Sequence, residues 1–363
     1  MRVKRSSAIV VLLENDEFVF HNFLGQQTFT ANPTALEILR RLHIWTDLDA
    51  LRDLFPDYSQ ASIDRSIDQL IELGALIVEG SEAAALDDDY VRTWAWGSLS
   101  AAYHFSGRDG AFISIEDSVE LLRQQAKFIP SPPLYQQNSN PATDVPLPIQ
   151  GEYSEPFLTM AKRRTNRVML DAPIALEQLA DCLLFSMAIT AFIEDPDTVD
   201  LPLKMTPSGG GRNPYEAYVC VRSVTGLASG TYHYSALDRT LGVVSEGAPP
   251  PFPALLAGQQ WTSTSAAVIF LVANFERPMW KYQDPHGYRV VMIEAGHIAQ
   301  NIMLVATQYG FVANPSGAFS RSAVEETLRV GGVTQSVVYA LVLGVPAPDP
   351  DGASVSGDLT ALG

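Results

Sequence analysis

The sequence predicts two folded units in one chain, a winged helix-turn-helix followed by a larger domain of mixed helices and strands. Three observations carry this. The chain has 363 residues, more than one typical domain needs. It is 47% hydrophobic and 18% charged, so it can fill sizeable cores and is not globally disordered. Strand-like and helical runs fill the first 85 residues, a stretch rich in Pro, Asn and Gln interrupts the chain at 129–150, and helices alternate with strands beyond 158.

The first unit reads in order. Residues 8–13 and 17–20 form two short strands around the polar turn at 14–16. Asn32 caps a helix with Pro33 at its first position and Leu36, Leu39 and Leu42 on one face. A short helix starts at Thr46 or Asp47. Another starts at Ser59 and carries Ile63, Ile67, Leu70 and Ile71 at helical spacing until Gly74. Residues 75–78 read as the first arm of a wing. The would-be recognition helix holds Asp64, Asp68 and Glu72 against one Arg65, a face that phosphates repel. A protein–protein module, able to take a peptide by strand addition, or a structural cap fits better than a DNA reader.

Residues 86–109 carry Trp94, Trp96, Tyr103, His104 and Phe105, which predicts packing rather than a tether. Residues 114–128 read as a helix. Beyond 158, a basic cluster (Lys162, Arg163, Arg164, Arg167) opens the second unit. Helices follow at 176–190 and 288–308, with strands at 216–222, 230–234, 266–273 and 335–343.

The net charge of −17 argues against a nucleic-acid or anionic-membrane partner. No apolar stretch is expected to span a membrane. Two cysteines, Cys182 and Cys220, make no disulfide framework and fit a reducing cytosol, so a cytoplasmic protein is expected.

Three segments can carry chemistry. Arg163 and Arg167, four apart, suit one helix face and a phosphate, because guanidinium forks bind phosphate oxygens in pairs. The segment PSGGGRNP, from Pro207, has three consecutive glycines where a turn needs one, which points to close approach of the backbone to a ligand. It matches neither a Walker loop nor GxGxxG. The segment WKYQDPHGYRVVMIEAGHIAQN gathers Lys281, Tyr282, Arg289, Glu294, His297 and Asn301. Glu294 and His297 sit at metal-ligand spacing, but no second ligand pair accompanies them, so no metal is expected.

KRRTNR, PSGGGRNPYEAYVCV, GTYHY, KYQDPHGYRVVMIEAGHIAQN and YALVLGVP occur in the order of the SagB-type dehydrogenases, which they resemble over roughly residues 158–346. These are nitroreductase-like flavoenzymes. The first 85 residues resemble, more loosely, the PqqD-type leader-binding domain. The resemblance implies an α+β fold with an antiparallel-dominated sheet, a homodimer, and FMN. Arg163, Arg164, Thr165 and Arg167 would hold the flavin phosphate and ribityl. Pro207, Ser208, Gly209 and Gly210 would lie by the isoalloxazine, and a loop of Asn314, Pro315, Ser316 and Gly317 would pass its other side. Arg289 and Asn301 are placed with the cofactor as well. A catalytic Lys-Tyr pair maps onto Lys281 and Tyr282, where a desolvated lysine would act as general base.

The implied function is oxidation of thiazoline or oxazoline rings to thiazole or oxazole in a ribosomal precursor peptide. A leader would sit on residues 1–85, along 8–13 or the strand edge beside them, and a cyclodehydratase would be a possible partner. The implied organisation is a leader-binding unit (1–85), a connecting segment (86–157), the FMN domain (158–346) and a tail (347–363). The alternatives are an NAD(P)H-dependent nitro or ene reductase of the same fold and a non-catalytic peptide-binding scaffold.

Overall fold

The N-terminal unit is organised by its first strand. In the computed structural model, which describes residues 1–109, 112–113, 115–130, 133–134, 154–195 and 199–348, β1 (Arg2–Arg5) leads into a meander of β2 (Ile9–Glu14), β3 (Glu17–Asn22) and β4 (Gln27–Ala31). Asn15 and Asp16 both take positive φ, the conformation that a tight hairpin turn requires. Then come α1 (Pro33–Arg41), β5 (Thr46–Asp47), α2 (Leu48–Leu54), α3 (Gln60–Glu72) and β6 (Leu76–Val78). The side chains of Asn32 and Ser59 cap α1 and α3 by accepting amides three residues on. Phe20, Ile38, Leu39, Ile63, Ile67 and Leu70 form a core of the unit's own.

The helices are as the sequence predicts, but the wing is not. β6 does not fold back on a second arm; it pairs with β1, which lies between β5 and β6 in a three-stranded sheet. Only Val3 of β1 is fully buried, and its flanking Arg2, Lys4 and Arg5 hide the strand from a hydrophobic reading.

α4 (Glu82–Thr93) and α5 (Gly97–Ser106) continue the chain. The buried Asp87 of α4 accepts bonds from Ser6 Oγ (2.9 Å) and from the Ser7 amide (2.6 Å) and hydroxyl (3.0 Å), tying α4 to the end of β1. Trp94, Trp96, His104 and Phe105 are buried, as expected, in a cluster that also holds Phe275 and Tyr288; Tyr103, expected with them, is exposed. α6 (Ile115–Ala126) follows. The stretch read as a linker (129–150) and the expected tail (347–363) lie almost wholly outside the described residues.

The larger unit comprises α7 (Glu155–Lys162), β7 (Met169–Leu170), β8 (Ile174–Ala175), α8 (Leu176–Met187), β9 (Ile189–Ile193), β10 (Leu201–Lys204), β11 (Tyr215–Val221), β12 (Val224–Thr225), β13 (Gly230–Ser235), β14 (Thr240–Glu246), α9 (Phe252–Leu255), β15 (Ala267–Asn274), α10 (Glu276–Lys281), α11 (His286–Gln308), β16 (Val312–Ser316), α12 (Arg321–Leu328) and β17 (Gln335–Pro346). Its sheet runs β14-β13-β11-β15-β17-β16, with β7 on the end of β17, and every pairing in it is antiparallel. β15 is covered on both faces, which is why it reads as one apolar run. Ile269 and Leu271 face α8 and α11; Val268, Phe270 and Val272 face α9 and α12.

Four expectations change. The helix at 176–190 stops at Met187, and Ile189 onward is strand. The loop at 314–317 is largely strand β16, with Pro315 opposite Leu341 on the sheet's edge, where a missing donor costs no ladder bond. Arg163 caps the end of α7, so Arg163 and Arg167 do not share a helix face. α11 is long and apolar enough to cross a membrane, contrary to the expectation that no stretch is, yet one face packs into the core and it carries the buried Glu294.

Candidate active site

The three glycines are demanded by the chain itself. Gly209–Gly211 form a single 3-10 turn after Ser208, with φ of +61° at Gly210 and +68° at Gly211, where a side chain is strained. A Cβ on Gly209 would stand 2.3 Å from Val290 Cγ1. One on Gly210 would stand 2.3 Å from the Tyr282 hydroxyl and 3.0 Å from Lys281 Nζ. Lys281 and Tyr282, at the end of α10, therefore lie directly over the turn, and Lys281 Nζ donates to the Gly210 carbonyl at 3.3 Å. The leading amides of such a turn have no acceptor within it.

Lys281 is exposed. The apolar surround expected of a lysine base is thus not supplied by this chain's own packing.

Beneath the turn lies a buried ion pair. Lys204 Nζ meets Glu294 Oε1 at 2.7 Å with both side chains about 3% exposed, and Ser208 Oγ donates to Glu294 Oε2 at 2.8 Å while accepting from the Asn213 amide at 2.9 Å. Glu294 is thereby committed to the loop rather than to a metal, and His297 is exposed. Asn301 donates its amide to Thr206 Oγ1 (3.1 Å) and the Phe185 carbonyl (3.2 Å), bracing the segment that enters the turn.

The other expected residues form a second group. Asn314 is fully buried and clamps the backbone of Asn166 in both directions: its Oδ1 accepts the Asn166 amide (3.0 Å) and its Nδ2 donates to the Asn166 carbonyl (2.6 Å). The clamp fixes the extended basic segment against β16. Arg167 lies 5.5 Å over the Trp261 ring, Trp261 donates to Gln259, and Gln259 donates to Ser316 Oγ at 3.0 Å. Arg164 turns back onto the carbonyls of Ala161 and Arg163. Among the described residues, Arg163, Arg164 and Arg167 have no carboxylate partner, although the chain is strongly acidic. That donor set fits a phosphate. Pro207, Arg289, Thr165 and Gly317 are exposed, and among the described residues no hydrogen bond joins the two groups.

Sequence reasoning missed Lys204, Gln259 and Trp261. Lys204 meets its partner across 90 residues, and no local pattern announces such a pair.

A third cluster backs the site. Arg321 Nη2 donates to His104 Nε2 (2.8 Å), so the proton sits on Nδ1 and is donated to the Tyr288 hydroxyl at 3.0 Å. Burial, then the Arg321 and Arg108 charges, push His104 well below its ordinary range, and it is neutral. Burial raises Tyr288 to about 12.

The model of the nitroreductase family matches residues 160–345, just over half of the chain. The chain belongs to the nitroreductase family. Members of this family generally bind FMN. The nitroreductase-family protein MJ1384 of Methanocaldococcus jannaschii is 30% identical over 172 residues, 47% of this chain and 82% of its own length. The trifolitoxin-processing protein TfxB of Rhizobium leguminosarum bv. trifolii is 26% identical over 314 residues, 82% of this chain and 83% of its own. That match extends well beyond the nitroreductase region. In structure, the chain resembles one from the E. coli microcin synthetase McbBCD complex with truncated pro-MccB17 bound. The TM-score is 0.53 at 20% identity, covering 75% of this nitroreductase-family chain and 99% of the other.

Proposed function

We propose that this nitroreductase-family chain is an FMN-dependent dehydrogenase that oxidises thiazoline or oxazoline rings of a ribosomal precursor peptide to thiazole or oxazole. The observation that carries the reading is the Lys281–Tyr282 pair laid over the glycine turn. The similarity to the trifolitoxin-processing protein TfxB over 314 residues supports it.

FMN, when bound, supplies the acceptor for the two electrons that leave with the hydrogen of the ring carbon. The rest falls to the chain. The Lys281 amine takes the acidic Cα proton, and the Tyr282 hydroxyl, on the same turn, orients it or relays the proton. A bound peptide ring supplies the dry surround that Lys281 lacks in the chain alone. Arg163, Arg164 and Arg167 would hold the phosphate of the cofactor, and the glycine turn, free of side chains, would leave its leading amides available to the flavin.

The leader peptide docks on the N-terminal unit. A groove of about 700 Å³ lies between β4, α1 and α3, lined by Phe29, Ala31, Ile38, Tyr58, Ile63 and Leu70. β4 is an edge of its sheet, so an extended peptide can add a strand there while its side chains enter the groove. A second copy completes the enzyme; exposed Met160, Phe185 and Ile293, on the neighbouring α7, α8 and α11, support that pairing.

The test is a visible spectrum of the purified protein with mass identification of the released chromophore, then turnover of a leader-bearing azoline peptide. Lys281→Ala should keep FMN and lose turnover; full activity in that variant removes Lys281 from the mechanism. The similarity to MJ1384 favours a second reading, an NAD(P)H-dependent reductase. Rapid bleaching of the flavin by NADPH without peptide would select it.

A further inference from the structure

We propose that Trp96 is a positioning residue for Lys281 and Tyr282, a reading that rests on the dehydrogenase proposal above. Trp96 belongs to the segment between α4 and α5, far outside the nitroreductase region, yet it holds the end of α10. Its Nε1–H donates to the Tyr282 carbonyl at 2.7 Å. Its ring, about 1% exposed, lies so close to Gly287 that a Cβ there would stand 2.8 Å from Cζ2. The preceding amide, of Ala95, donates to Met279 Sδ at 3.4 Å.

These three contacts bracket the candidate pair. Met279 precedes Lys281 and Tyr282, the Tyr282 carbonyl follows their side chains, and Gly287 begins the first turn of α11. The backbone of Tyr282 has left helical geometry, with φ −112° and ψ 97°, so its carbonyl cannot enter a helical ladder. Among the described residues, the short connection between α10 and α11 is otherwise held by local bonds: the Gly287 amide to the Asp284 carbonyl (2.9 Å), the Tyr288 amide to the Pro285 carbonyl (3.1 Å), and His286 to the Asp284 carboxylate through both its amide (2.9 Å) and its ring. Those bonds shape the connection but do not fix it against the body of the protein. Trp96 does, and it is itself wedged edge-on against Trp94, Phe275 and Tyr288. Lys281 and Tyr282 overhang a turn with no side chains, so a small rotation of the connection would carry both away from it.

The experiment uses the full-length protein with FMN bound. Trp96→Phe keeps most of the ring packing and removes the donor to Tyr282. Gly287→Ala disturbs the same contact from the opposite side. Phe252→Leu, in the core on the other face of the sheet, serves as a control of matched destabilisation. For each variant, FMN content, melting temperature, kcat and KM on the azoline peptide, the pH profile of kcat, and amide hydrogen exchange across 279–288 are measured.

Trp96→Phe and Gly287→Ala should keep FMN and KM while kcat falls roughly tenfold or more, since displacing a catalytic group by an ångström costs on the order of a hundredfold. The pH profile should shift and exchange across 282–287 should rise. Phe252→Leu should melt earlier with kcat and pH profile unchanged. Wild-type kcat in Trp96→Phe overturns the proposal, whether or not exchange rises. So does an equal loss of kcat in the Phe252→Leu control. Failure of the underlying reading looks different: wild-type protein with FMN bound would not oxidise the azoline peptide at all.

Discussion

His104 is strongly altered by the fold. Burial beside Arg321 and Arg108 depresses its protonation in the folded state, whereas the unfolded chain binds a proton near 6.5. The unfolded state thus holds more protons below that value, so stability is complete above pH 6.5 and falls as the pH drops below it. His104→Phe should flatten this part of a stability-versus-pH curve measured by urea denaturation; an unchanged slope would mean that His104 does not titrate on unfolding. Lys204 is the converse case. Its loss strands Glu294 as a buried charge, and Lys204→Met should cost about 3–5 kcal/mol, read from the same denaturation curves. Asn314→Ala unclamps Asn166 and should cost about 1–3 kcal/mol. It should also speed release of FMN, if the basic segment holds the phosphate. None of these pairings was legible in sequence, because each joins residues at least 90 positions apart and no periodicity encodes such distances.

At the scale of elements, the glycine turn was legible as a place that excludes side chains, but what excludes them was not. PSGGG pointed to a close approach, and the approaching groups include Val290 and Tyr282 of the chain itself. Gly210→Ala should therefore cost about 1 kcal/mol or more from backbone strain alone and should displace Tyr282, seen as a joint loss of stability and turnover. Normal turnover would deny that the pair must rest on the turn. α11 and the strands β11, β13, β15 and β17 were readable because each carries an unbroken apolar face. β16 was not, since its proline reads as a loop and only an edge position tolerates it. β1 escaped for the opposite reason: its basic residues mask a strand that depends on Val3 for burial.

For the whole molecule, the two units are joined by a shared core that extends beyond the family's own region. Ala8 and Phe23 of the N-terminal unit share one apolar cluster with Trp94, Trp96, Phe105 and the α8–α11 core, and Asp87 pins α4 to the end of β1. Removal of residues 1–85 should therefore uncover aromatic surface and produce aggregation, visible by light scattering, rather than a clean loss of leader recognition. A milder probe is Tyr58→Ala, which removes an exposed ring lining the β4–α3 groove; it should raise KM for a leader-bearing peptide and leave FMN content intact, and an unchanged KM would place the leader elsewhere.

The order of the main sheet has a bearing on how the protein is made. β17 lies between β15 and β16 and is the last described strand of the sequence. A ribosome that has delivered everything up to α12 has therefore released a sheet still split in two, with one apolar edge of β15 open to its neighbours. The N-terminal unit, with a core built from residues 3–78, can fold long before that. Asn166 waits for Asn314 in the meantime, so the clamp on the basic segment closes only after that late synthesis, and cofactor loading should follow translation rather than accompany it.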